Sequence, residues 1–200
     1  MKRFTRMAWV LPAMLILTGC GAFVPGASPS GASMQADGLF GPSLPPDRPL
    51  APEERSGDFD VFLHLATREA TRWDAKARLT GAQATNVDRL GRKAGGTQYA
   101  YTFSQGRKAM TITVAGNNLS FERARVGTPL PITAYLSAPQ VLQAALDSGR
   151  VDGEAFQLLL AMPASGSNPV FLVAELKQAG RRVLVEAQSG QVLPPATPTR

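Results

Sequence analysis

The chain has 200 residues, 44% of them hydrophobic and 18% charged, which permits a packed core and excludes wholesale disorder. A single cysteine excludes an internal disulfide framework and a Cys-rich zinc site. The formal charge of +6 is unevenly spread: Lys2, Arg3 and Arg6 open the chain without an acid, and beyond them 18 basic and 15 acidic side chains are too near balance to indicate nucleic acid.

After the basic start, Met7 to Leu17 is free of charge. As a helix it would measure roughly 16 Å, too short for the ~30 Å hydrocarbon core of a bilayer. A basic segment followed by an apolar run of this length reads as an export signal. The run ends in Leu17-Thr18-Gly19-Cys20, which resembles the lipobox of bacterial lipoproteins. The small residues let the chain enter a peptidase site in extended form, and the thiol is the soft nucleophile that accepts a diacylglycerol thioether. That resemblance implies a signal peptide over residues 1–19, cleavage between Gly19 and Cys20, and an acylated Cys20 at the new N-terminus. It implies export and anchoring to a bacterial membrane by lipid, facing the periplasm or the exterior. A lone cysteine elsewhere is more often buried and inert; here the charges, the apolar run and the small residues are all in register. Each buried acyl methylene contributes about 0.8 kcal/mol, so the two or three chains of that class anchor firmly. Gly21 stands where an Asp marks inner-membrane retention in some Gram-negative bacteria.

Residues 20–55 read as the lipidated cysteine and a Pro/Gly/Ser-rich tether, a coil with a reach of roughly 30 Å. Its "SLPPDRP" has the composition of a proline-rich ligand but more simply continues the spacer. A first unit follows over residues 56–126. In "FDVFLHLATREATRW", Phe62, Leu65, Ala66, Ala70 and Trp73 share one helical face. "TQYAYTF" and "AMTITV" alternate as half-buried strands, Tyr99, Tyr101 and Phe103 in one and Met110, Ile112 and Val114 in the next. "SQGRK" and "GNN" supply the turns, and a further strand starts at "LSF" and runs toward Val126. The second unit spans residues 127–193. "SAPQVLQAALDSG" is a helix with Ser137 and Gln140 as a capping box, Val141, Leu142, Ala145 and Leu146 on its apolar side, and Gly149 at its end. "EAFQLLLAM", "PVFLVAEL", "VLVEA" and a short "QVL" are strands, and residues 194–200 are a frayed tail.

The order helix, then antiparallel meander, occurs twice. The fold class is therefore α+β, with two such units in tandem after the tether, each near the lower size limit for a lone domain. The ending "NPVFLVAELKQAGRRVLVEAQSGQVL" resembles the PepSY and PepSY-like family through Val183, Val185, Glu186, Ala187, Ser189, Gly190, Val192 and Leu193. Glu186 stands where that family has Asp, and Ser189 where it has Thr. Residues 56–126 look like the degenerate N-terminal partner of tandem PepSY-like lipoproteins. The resemblance implies a non-enzymatic binding module, for which peptidase inhibition or capture of an envelope partner has been proposed; fold analogy does not give function.

Candidate chemistry is sparse. His64 is the only histidine, no serine lies in a G-x-S-x-G elbow, and a Ser-His-Asp triad would have to use that one imidazole. Asp58 and Asp60, with Glu53 and Glu54, lack calcium-loop spacing and suit a helix N-terminus. "GRKAGG" lacks the order of a phosphate loop and reads as an interstrand loop. No catalytic residue, metal or cofactor is expected. The first unit is basic, with 11 basic against 6 acidic residues, and the second carries 4 against 5. Arg68, Arg72, Lys76 and Arg78 are the candidate contacts for a partner or an anionic membrane surface; a solvated face is the plainer account. The sequence thus leads to a lipid-anchored, non-enzymatic envelope lipoprotein. It would bind a protein or peptide partner through its basic unit or an exposed strand edge, with no role for nucleic acid. The alternative is a structural or lipid-handling envelope component, which an apolar pocket between helix and sheet would favour.

Overall fold

A computed structural model describes residues 43–131, 134–163, 168–178 and 180–194. Gly19, Cys20 and residues 195–200 lie outside the described residues. The elements are β1 (Arg48–Pro49), a 3-10 turn (Pro52–Glu54), α1 (Phe59–Trp73), β2 (Arg78–Val87), β3 (Lys93–Gln105), β4 (Lys108–Ala115), β5 (Asn118–Arg123), α2 (Ala138–Asp147), β6 (Phe156–Ala161), β7 (Val170–Glu175) and β8 (Arg182–Glu186). The class is α+β: one antiparallel sheet in the order β1-β5-β4-β3-β2-β6-β7-β8, with two helices.

Helix α1 starts where Asp58 accepts hydrogen bonds from the backbone N–H groups of Asp60 (3.1 Å) and Val61 (3.0 Å). It buries Phe59, Phe62, Leu65, Ala66 and Ala70. In α2, Gln140 accepts from the Ser137 N–H (2.9 Å), but the Ser137 hydroxyl turns to that same Gln140 oxygen. Half of the expected capping box is therefore made. The next N–H, that of Ala138, is instead bonded by the Asp60 carboxylate of α1 (3.0 Å), so the first turn of one helix caps the other.

One helix lies over the middle of the sheet and the other toward one edge. Helix α1 packs over β2, β3 and β4, and α2 over β7 and β8. The seam between them is the pairing of β2 with β6, where Ala82 and Ala84 face Leu160 and Leu158 in register. Phe59 spans that seam, with its ring 5.6 Å from Tyr101 of β3 and 6.1 Å from Phe171 of β7. On the opposite face one row runs Leu159, Leu172, Leu184 across β6, β7 and β8, and continues through Gln83, Ala100, Thr113 and Ser120.

Two expectations change, and one strand goes unread in the sequence. Residues 43–55 belong to the folded body, not to the tether: β1 pairs with β5, Asp47 accepts from the Phe121 N–H (3.0 Å), and Leu50 is buried. Strand β5 stops at Arg123 rather than reaching Val126. Strand β2 carries no clear alternation in sequence, because its inward residues are mostly small and register shifts at Leu79/Gly81 and Thr85/Val87 break the period of two. The loop between β2 and β3 is a built turn: Asp88 accepts from the N–H groups of Leu90 and Arg92 (both 2.8 Å). Gly91 sits there at φ +72°, where a Cβ would come within 2.9 Å of the Ala138 Cβ, so no other residue fits without a shift.

Two tyrosines on β3 differ in one bond. The Tyr101 hydroxyl donates to the Phe59 carbonyl at 2.6 Å, whereas the buried Tyr99 hydroxyl has no partner among the described residues. Tyr101→Phe is expected to cost about 1 kcal/mol, and Tyr99→Phe to be neutral or stabilising. Urea denaturation of the two variants checks this; equal losses would contradict the assignment.

Candidate functional site

Among the described residues an opening in the core lies beside the seam, reaching Leu79 of β2 and Leu160 of β6. The inner face beside the seam is roofed by α1 on one side and by the crossover between β5 and α2 on the other. A cavity of about 570 Å³ remains. Its base is apolar: Phe59 and Leu63 of α1, Leu79 of β2, Phe103 of β3, Leu160 of β6, Phe171 of β7, and Leu130 and Leu136 of the crossover. Its mouth is set by the exposed residues His64, Thr67, Arg78, Pro131 and Ala134, with half-buried Asp60 and Tyr135. A volume and lining of this kind are those of small-molecule sites.

The register shift at Leu79/Gly81 creates part of this wall. It pairs Leu79 with the inward Phe103, whereas unbroken alternation from Ala82 and Ala84 would turn Thr80 inward. The crossover is pinned by the Leu130 N–H donating to the Leu79 carbonyl (2.7 Å) and the Leu136 N–H donating to the Ala187 carbonyl (2.8 Å). The Tyr135 hydroxyl donates to the Pro131 carbonyl.

The polar groups at the mouth are mostly occupied. Thr67 donates its hydroxyl to the Leu63 carbonyl (2.8 Å), and the Asp60 carboxylate holds the α2 N-terminus. Burial, chiefly, raises the Asp60 carboxyl above its ordinary value, offset by the Ala138 N–H. His64 is exposed one turn from Asp60, and among the described residues no serine lines the cavity. Among the described residues no group of three or more His, Cys, Asp or Glu converges as metal ligands would.

The four cationic candidates are not gathered into one patch. Arg68 and Arg72 belong to an ion-pair network that ties residues 48–54 to α1. In it, Arg48 reaches Glu54 (2.9 Å) and Glu69 (3.1 Å), Arg68 reaches Glu54 (3.0 Å), and Arg72 reaches Glu69 (3.0 Å). Lys76 is exposed in the turn after α1. Arg78 alone of the four lines the cavity. Sequence reading missed the crossover wall and Asp60's link to α2, because neither has a periodic or motif signature.

The strand edges are largely occupied too. Strand β1, the 3.0 Å bond to Asp47 and a bond from the Leu50 N–H to the Asn117 carbonyl (2.7 Å) cover β5. On the far side the chain returns along β8, with a Val185–Val192 bridge and the Leu193 N–H donating to the Leu184 carbonyl (2.8 Å).

No family model matches the chain, and no curated protein matches it. Among solved structures it is similar to one described as a "putative lipoprotein" from Clostridium difficile 630, with a TM-score of 0.52 and 10% identity, covering 70% of this chain and 91% of that one. At that identity the likeness shows a shared fold. Among the described residues no helix is long and apolar enough to cross a membrane.

Glu54 is held at about 2, below its ordinary 4.5, first by the hydrogen bond from Arg48. Its folded value is depressed, so its contribution is complete above about pH 5 and is lost as pH falls from 4.5 toward 2. Glu54→Gln is expected to cost roughly 1–2 kcal/mol at pH 7 after solvent screening, the loss shrinking to a small remainder as pH approaches the folded value of about 2. Unfolding of both proteins across that range measures it; a deficit independent of pH would contradict the ion-pair account.

Proposed function

We propose that this chain is an exported, lipid-anchored lipoprotein of the bacterial envelope whose folded body is a non-enzymatic module binding an apolar ligand in the cavity beneath α1. The lipobox-like Leu17-Thr18-Gly19-Cys20 carries the anchor, and the described lipoprotein-like neighbour of the same fold supports it. The observation that carries the binding function is the apolar cavity between helix, crossover and sheet. This is the feature that separates a lipid-handling role from capture of a peptide along a strand edge, and the occupied edges of β5 and β8 weigh the same way.

A second reading keeps a protein or peptide partner and gives it a different surface. The Leu159, Leu172 and Leu184 row on the face opposite the helices favours it, as does the PepSY-like ending from Val183 to Leu193. Under either reading residues 20–42 act as the spacer between membrane and body.

The uncharged fluorophore N-phenyl-1-naphthylamine tests the cavity without electrostatics. The full chain carrying Cys20→Ser, which has no acyl group of its own, should bind it saturably, one per chain. Leu63→Trp, which fills the cavity from the α1 side, should weaken binding about tenfold or more. Unsaturable binding, or equal binding by the Leu63→Trp variant, would contradict the assignment. For the anchor, mass spectrometry of the native N-terminal peptide should find Cys20 acylated, and an unmodified thiol would contradict it.

A further inference from the structure

We propose that the cavity takes a single-chain anionic amphiphile, its acyl chain against Leu63, Leu79, Phe103 and Leu160 and its carboxylate or phosphate head at Arg78. This rests on the cavity being a ligand site, as set out above, and adds the class of ligand.

The chain length follows from volume. At roughly 30 Å³ per water-sized group, a site of this size holds on the order of twenty such groups, which suits one acyl chain and not the two of a diacyl lipid. The polarity is one-sided. Phe103 and Leu160 are fully or nearly fully buried in the base, while Arg78 is exposed at the mouth. A ligand matching this gradient is apolar along most of its length and charged at one end.

The sign of the charge follows from Arg78. It is the first residue of β2, placed opposite Ser104, and it makes no ion pair among the described residues. The two arginines of α1 are already spent: Arg68 on Glu54 and Arg72 on Glu69. Asp60, the acid on the cavity wall, is also engaged, with its carboxylate bonded to the Ala138 N–H at the start of α2. The guanidinium therefore remains to meet an incoming anion. Its planar fork pairs with both oxygens of a carboxylate or phosphate, which an alcohol head cannot offer.

The test compares hexadecanoate, hexadecyl phosphate and hexadecanol, below their aggregation concentrations, on the full chain carrying Cys20→Ser. Displacement of N-phenyl-1-naphthylamine reads the affinity. At least one anionic ligand should bind about tenfold or more tightly than the alcohol. Arg78→Gln should bring the anions to the level of the alcohol and leave hexadecanol unchanged, while Arg78→Lys should keep part of the preference. Which anion binds better identifies the head. Equal affinities for anion and alcohol, or a preference that survives Arg78→Gln, would overturn the charged-head assignment and leave the cavity assignment standing. Binding of none of the three would overturn both.

Discussion

The pairing of β2 with β6 is the contact on which the rest of the molecule depends. Each helix-and-meander half has few residues with which to bury apolar surface, and halves of this size are marginal alone. Joining their first strands makes one sheet of eight strands and one continuous core. It also fixes where the helices go. Each lies over its own half, and the start of α1 reaches the seam through Phe59, with the crossover beside it. The cavity is thus a consequence of the join. The register shift at Leu79/Gly81 adds an apolar wall to it.

Buried and half-buried carboxylates hold this arrangement in place. Asp60 links the start of α1 to the start of α2, across the seam. Glu69, buried on α1, and Glu54 collect three arginines and so tie the segment before α1 to the helix. A buried carboxylate without partners would be destabilising, whereas with Arg48 and Arg72 it fixes orientation. Glu175 does similar work in the second half, where it accepts from the N–H groups of Asp152 (2.6 Å) and Gly153 (3.0 Å) and shapes the loop into β6. These contacts spend charge on architecture. Arg68 and Arg72 are therefore not part of a free patch, and Arg78 stands out among the four candidate cations because it alone lines the cavity and makes no ion pair among the described residues.

Much of the fold was legible from periodicity. The apolar face of α1, the alternation of Tyr99, Tyr101 and Phe103 and of Met110, Ile112 and Val114, and the turns at Gly106, Gly116 and Gly149 follow from side-chain period and from positive φ. Three features were not legible, each for a physical reason. Strand β2 hides because two register shifts and small inward residues erase its alternation. Residues 43–55 hide because their order comes from Leu50 burial, Asp47 and the Arg48 ion pairs, inside a composition otherwise typical of a linker. The site hides because its wall is assembled from α1, β2 and an aperiodic crossover far apart in the chain. Arg78 was legible as a cation, but its place at a cavity mouth was not.

The central claim is that the helix-side cavity, and not the open leucine row, is the face that meets a ligand. Methyl-resolved NMR of leucine residues during titration with dodecanoate tests it most directly, since leucines stand on both faces. The account predicts shifts confined to Leu63, Leu79, Leu130, Leu136 and Leu160. Shifts centred on Leu159, Leu172 and Leu184, with the cavity leucines unmoved, would contradict it and place binding on the opposite face of the sheet.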